Sequence, residues 1–297
     1  MRKLVIILIL GSASLGLAQE TGSVYVESQV LPNSDVATIK KNSLGFDYPL
    51  KTFSDKESIS LIGEFQNMNI NFVDEDVPFE TGQIENFNTI GLGLAYNRIL
   101  NNGWGFSLKV TPQLSSNYDT NEFNSEDLFI GGSLIFDKLN EEKQTMWSFG
   151  VDYDSQNGLE YPIPVVAYTK RLNDQWAYKI GFPDARIKWT INDNHYFEAF
   201  TTLDGFAGNI NDDLEIYKED YTGFLKNTYL VGGLGYNITF FSNFEFNVQA
   251  GYSAFNTMEV QDYDADRIYD FDMKNGAYYN FGLKYNLKKK TKVKSPY

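Results

Sequence analysis

The stretch KNTYLVGGLGYNITFFSNFEFNVQAG, residues 226–251, decides the fold class. It reads as two strands, 228–240 and 244–254, joined at Phe241-Ser242-Asn243. In the first, Leu230, Leu234, Tyr236, Ile238 and Phe240 share one face, while Val231, Gly233, Gly235, Asn237 and Thr239 share the other. The second alternates Phe244, Phe246, Val248, Ala250, Tyr252 and Ala254 with Glu245, Asn247, Gln249, Gly251 and Ser253. Successive side chains leave a strand on opposite sides, so this ribbon carries one apolar face and one polar, glycine-rich face. Strands of about 11 residues also match the length a tilted strand needs to cross a bilayer.

The same alternation recurs outward from the ribbon. Strands are predicted at 22–31, 38–50, 59–73, 87–99, from Trp104, at 128–139, from Trp147, from Val165, at 176–182, 185–191 and 196–208, and at 279–287. With the ribbon this makes fourteen. Within 59–73 the apolar parity changes from Leu61 and Phe65 to Met68, Ile70 and Phe72, and a bulge near Asn67 is the expected cause. Pro162 and Pro164 lack N–H donors, so the strand after them is placed from Val165. Connections at 51–58, 101–103, 140–143, 173–174, 192–194 and 241–243 are short, and those at 74–86, 115–127, 155–161, 209–223 and 256–275 are long. Short and long alternate, as tight periplasmic turns and longer extracellular loops do in a closed antiparallel transmembrane β-barrel. Pro183-Asp184 breaks this rule as a tight turn on the long side. Twelve strands is the alternative, reached if the strands flanking Pro183 are one bent strand and the first segment is a plug or unpaired arm.

The chain opens with Arg2 and Lys3, an apolar run 4–10 and small residues up to Ala18, which predicts a signal peptide over 1–18. The barrel then occupies 19–287, and 288–297 is a basic tail. Losing Arg2 and Lys3 takes the net charge from −14 to about −16, which argues against nucleic acid as a partner. Cysteine is absent, excluding disulfides, thiolate metal sites and a lipidated N-terminal Cys. Aromatic residues are 16% of the chain and are spread through alternating segments instead of gathered into one core, which suits lipid outside and water inside.

The polar parity supplies lumen-lining candidates: Lys109, Asp152, Lys179, Arg186, Lys188, Glu245, Gln249 and Lys284, with Asp152 and Glu198 expected as near neighbours of the basic cluster over 179–188. Charges of both signs around a wet interior are how pores set selectivity. Trp104, Trp147, Trp176 and Trp189 lie near short turns, where an interfacial belt belongs. His195, the one histidine, has no second histidine or cysteine for a zinc site and no identifiable serine partner, so catalytic and metal sites and cofactors are expected to be none. The carboxylates Asp262, Asp264, Asp266 and Asp270, and Asp212, Asp213, Glu215, Glu219 and Asp220, read as solvated acidic loops lacking the glycine and glutamate of a calcium-binding EF-hand.

The signal peptide ending at Ala18-Gln19, the lead-in Ile163-Pro164-Val165, and Gly181-Phe182-Pro183 before Ile187-Lys188-Trp189 resemble the uncharacterised predicted outer-membrane β-barrels of flavobacteria and their relatives. The resemblance extends over about 24–287 and implies an outer-membrane barrel with no catalytic residues to carry over. The expectation is a non-enzymatic barrel acting as a porin-like channel or small-solute transporter. The alternatives are a structural or surface-binding barrel with an occluded lumen, and a barrel-embedded lipid enzyme. Outer-membrane lipid, the barrel-assembly machinery and a small solute are the expected partners. Oligomeric state is left open.

Overall fold

The computed structural model describes residues 22–287 apart from 33–35, 55, 74–76, 78, 118–123, 155, 156, 160, 217 and 218. The predicted signal peptide, the basic tail and the side chains of Asp212, Asp213 and Asp220 lie outside the described residues.

The strands are β1 (Ser23–Leu31), β2 (Ala37–Ser54), β3 (Glu57–Phe72), β4 (Asn86–Ile99), β5 (Trp104–Ser116), β6 (Leu128–Asn140), β7 (Thr145–Tyr153) and β8 (Ile163–Arg171). They continue with β9 (Trp176–Phe182), β10 (Asp184–Asn192), β11 (His195–Ile216), β12 (Glu219–Phe240), β13 (Phe244–Gln261), β14 (Arg267–Asp270) and β15 (Ala277–Asn286). From β1 to β13 each strand pairs with the next, and β15 pairs with both β13 and β1. Fourteen strands therefore close a ring, while β14 only folds back on the end of β13.

Closure satisfies every wall strand on both edges, the condition for irregular-free backbone within lipid. The outward parity is apolar all round: Leu92, Ile130, Ile180 and Leu234 are 57–70% exposed. Water would penalise such a surface and acyl chains do not, so this is an outer-membrane barrel. At the Asn101-Asn102-Gly103 turn, Asn102 (φ 58°) and Gly103 (φ 72°) take the left-handed conformation those residues tolerate best. Phe241 and Ser242 take it too, without that chemical excuse.

The strand count of fourteen stands: β9 and β10 are separate strands on either side of Pro183, and β1 is a wall strand paired on both sides. Four expectations are corrected. No register shift occurs near Asn67, so β3 keeps its faces throughout. Pro164 lies inside β8 opposite Val151, because near a strand end the missing donor is cheap. Residues 209–223 are chiefly the far ends of β11 and β12, and 256–275 holds the end of β13 and all of β14. The alternation there is apolar at spacings a strand prediction discards as loop.

Candidate lumen and its outer seal

Halfway up β3 the pattern inverts. Phe65 is exposed outward beside buried Gln66, whereas Met68, Ile70 and Phe72 point inward and Asn67, Asn69 and Asn71 point out. Asn67 and Asn69 hydrogen-bond Asn88 and Asn86 on the outer surface at 3.1 and 2.8 Å. Below this level lipid surrounds the barrel; above it water does, so the apolar parity must turn inward. Those side chains join Ile39, Phe87, Phe206, Ile210, Leu214, Ile216, Leu225, Val231, Met258 and Val260 in one core filling the long-loop end.

The β11–β12 hairpin makes this core possible. β11 follows β10 only as far as Thr202 opposite Asp184. It then leaves the wall with β12, and at Asn209 meets Ser116 of β5 in a parallel bridge. Since β5 and β11 are six strands apart by the shorter route, the hairpin crosses the ring. Its seam with β5 is polar. The Asn117 N–H donates to the Asn209 carbonyl (3.2 Å), the Asn211 N–H to Asn117 Oδ1 (3.0 Å) and the Ser115 hydroxyl to the Ala207 carbonyl (2.8 Å). Asn209 Nδ2 donates to Asp127 Oδ1 at 2.9 Å.

Under the apolar core lies a buried polar layer. Lys41 Nζ is 2.5 Å from Asp204 Oδ1, both side chains at most 6% exposed. Asp204 also accepts from the Gly205 N–H at 2.7 Å, and the Tyr229 hydroxyl stands 3.0 Å from both Asp204 Oδ2 and Gln29 Oε1. A charge here is tolerated because each carboxylate oxygen has a partner. From this layer a chain of contacts runs round the wall. Glu27 accepts from Asn280, which reaches Gln249 (3.1 Å); Gln249 donates to Glu198 (3.0 Å) and Arg186 to Glu198 (3.3 Å). Arg186 and Lys179 then meet Asp184 at 3.5 and 2.6 Å.

The hairpin leaves the β6–β10 sector outside the core. There Lys179, Asp184 and Arg186 keep 17–20% of their side-chain surface, and Lys109, on the adjoining β5, keeps 34% with its ammonium 3.8 Å from Asp154. Ser133, Gly150 and Asp152 are likewise half-buried, although β8 turns buried Ile163, Val165 and Ala167 inward.

Of the lumen candidates, Lys179, Arg186 and Gln249 meet in the chain of contacts just described, together with Glu198. Lys109 and Asp152 stand apart from it, Lys109 with Asp154 and Asp152 accepting from Asn157 Nδ2 at 3.3 Å. Lys188 lies 4.0 Å over the Tyr196 ring, and Glu245, opposite Lys284, accepts from Asn286 at 2.7 Å. Trp104, Trp147, Trp176 and Trp189 are 41–45% exposed at the short-turn end, with Trp176 stacked on Trp189 and Trp189 on Phe197. His195 Nδ1 lies 2.6 Å from the Tyr236 hydroxyl, with no nucleophile–base pair formed. Asp262 Oδ1 accepts the N–H groups of Asp264 and Asp266, a local turn, and among the described residues no group of three or more His, Asp or Glu side chains could hold a metal ion.

Sequence reasoning missed Lys41, Asp204, Tyr229, Glu27 and Gln29. The inverted parity of Met68, Ile70 and Phe72, coinciding with Ile39 and Phe87 on neighbouring strands, was the signal that could have found the filled end.

Several solved structures are similar to the chain. The KdgM porin in complex with disordered oligogalacturonate is 8% identical over 90% of this chain and 99% of that chain, with TM-score 0.41. The NanC porin is 10% identical over 89% and 100%, with TM-score 0.41. A Pseudomonas aeruginosa FadL homologue is 9% identical over 90% and 89%, with TM-score 0.42. At these identities and scores the likeness says nothing about solute. No curated protein matches the chain. The family described as a domain of unknown function, DUF6268, matches residues 54–286, twelve of the fourteen ring strands, and the chain belongs to it.

Proposed function

We propose that this outer-membrane barrel passes small hydrophilic solutes along a narrow, off-centre conduit beside β5–β10, and that it is not an enzyme. The carrying observation is the sector the hairpin leaves uncovered, where Lys109, Asp152, Lys179, Asp184, Arg186 and Lys188 retain exposure inside the ring. Charges of both signs along one wall favour small polar solutes over apolar ones, which cannot repay the water such groups hold. Glu245, Gln249 and Lys284 line the opposite, tighter wall. The four tryptophans anchor the short-turn end at the membrane interface. Export by residues 1–18 and delivery by the assembly machinery belong to the same reading.

Purified protein in a planar bilayer tests it. Discrete small-conductance openings are expected, and silence at every potential removes the conduit. Silence would favour a second reading, an occluded barrel acting through its outer cap, which the crossing hairpin recommends. Displacing that hairpin would bare six large side chains, Phe206, Ile210, Leu214, Ile216, Leu225 and Tyr229, at a cost of about 10 kcal/mol. The hairpin is therefore a fixed partition, and any passage runs beside it.

A further inference from the structure

The uncovered sector has its own roof, held by a different kind of contact. Beyond β7, Asn157 reaches across to the β11–β12 hairpin, passing over β8, β9 and β10. Its carbonyl accepts from the Thr228 hydroxyl at 3.1 Å, its side-chain amide donates to Asp152 at 3.3 Å and its N–H donates to the Asp154 carbonyl at 3.0 Å. Gly158 is buried against the Asn227 carbonyl with φ +67°, and a methyl there would run into that carbonyl and the Thr228 hydroxyl. Gly205 lies close to the Asn157 carbonyl from the hairpin side. Asp184 is level with Thr202, three residues below Gly205, so the crossing lies directly above the Lys179–Asp184–Arg186 cluster.

We infer that Asn157 and Gly158 form a strap closing the outer entrance of the conduit, docked on the fixed hairpin by a glycine-dependent backbone contact, and that undocking it widens the passage. This rests on the conduit reading above. The strap is the releasable element because its described contacts are polar and exchangeable with water, whereas the hairpin also packs Phe206, Ile210, Leu214, Ile216, Leu225 and Tyr229 into the buried core. Gly158 is required twice over, by its left-handed backbone and by the lack of room for a Cβ.

The test uses the full chain, whose lack of native cysteine leaves a clean background. Leu159→Cys supplies a reporter thiol on the strap, labelled in detergent micelles with a charged maleimide, and conductance is recorded on the same proteins. Adding Gly158→Ala, or Thr228→Val, which removes the docking hydroxyl, is expected to speed labelling roughly tenfold and raise conductance. Gly82→Ala, at a site with open space beside it, is expected to change neither. Unchanged labelling in both docking variants overturns the strap. So does faster labelling with unchanged conductance in a protein that conducts, which leaves the conduit standing. A protein that never conducts, whatever the labelling, removes the conduit and with it the entrance role. Two independent docking variants guard against one simply failing to fold.

Discussion

The two sides of this barrel solve opposite problems with the same repeating strand. On the side of β1–β4 and β11–β13 the strands run up to 22 residues, rise out of the membrane and need an interior of their own. They obtain it by reversing their apolar parity and folding a hairpin across the ring. On the β6–β10 side, strands β7–β10 have 7–9 residues, and the sector keeps charged side chains inside. The tall wall fills its end of the lumen because strands that outgrow the lipid turn their upper apolar residues inward, as β3 does with Met68, Ile70 and Phe72.

If the tall side is a packed core, truncation there should be costly. Phe206→Ala is expected to destabilise by about 3–5 kcal/mol, because the cavity cannot collapse. Ile180→Ala, on the lipid face of the low side, should cost below about 1 kcal/mol, since acyl chains refill the gap. Urea unfolding of the two variants in micelles checks this, and equal losses would erase the distinction. Lys41→Met should cost about 3–5 kcal/mol by stranding Asp204, and Lys41→Met with Asp204→Leu should recover most of it. A double variant no better than the single would mean that the layer is held by its other hydrogen bonds.

Access offers a sharper cut. Inward thiols introduced at Ser43 on the tall side and Ser133 on the low side should differ about tenfold in labelling by a small charged reagent, with Ser133→Cys the faster. The smallest effect concerns selectivity. Lys179→Gln combined with Arg186→Gln should move the reversal potential in a salt gradient toward cations, with roughly a twofold change in permeability ratio. An unmoved potential would place the current elsewhere than along β9 and β10.

Much of this was legible from residues. Alternation located all fourteen wall strands, and Pro183, which breaks the loop rule, still marked the boundary between two of them. Arg186 and Glu198 could be named as neighbours because β10 and β11 are adjacent. Ile210 and Leu214 were not recognised as core, because four-residue spacing among Asn and Asp resembles a loop when lipid is assumed outside at every height, and Phe206, inside the predicted strand 196–208, was given no core role. Met68, Ile70 and Phe72 invited a bulge for the same reason. Nothing local says where the membrane ends.

Period-two alternation, the turn chemistry and the scarcity of other burial options determined by themselves that this chain closes into a lipid-facing ring, since each depends only on near neighbours. The tertiary structure alone decided which part of the interior is solid. That outcome turns on a meeting between Asn209 and Ser116, ninety-three positions apart, and on Lys41 finding Asp204 across the ring. Contacts of such separation depend on how far each strand projects beyond the bilayer, a property of the assembled wall that no single segment encodes.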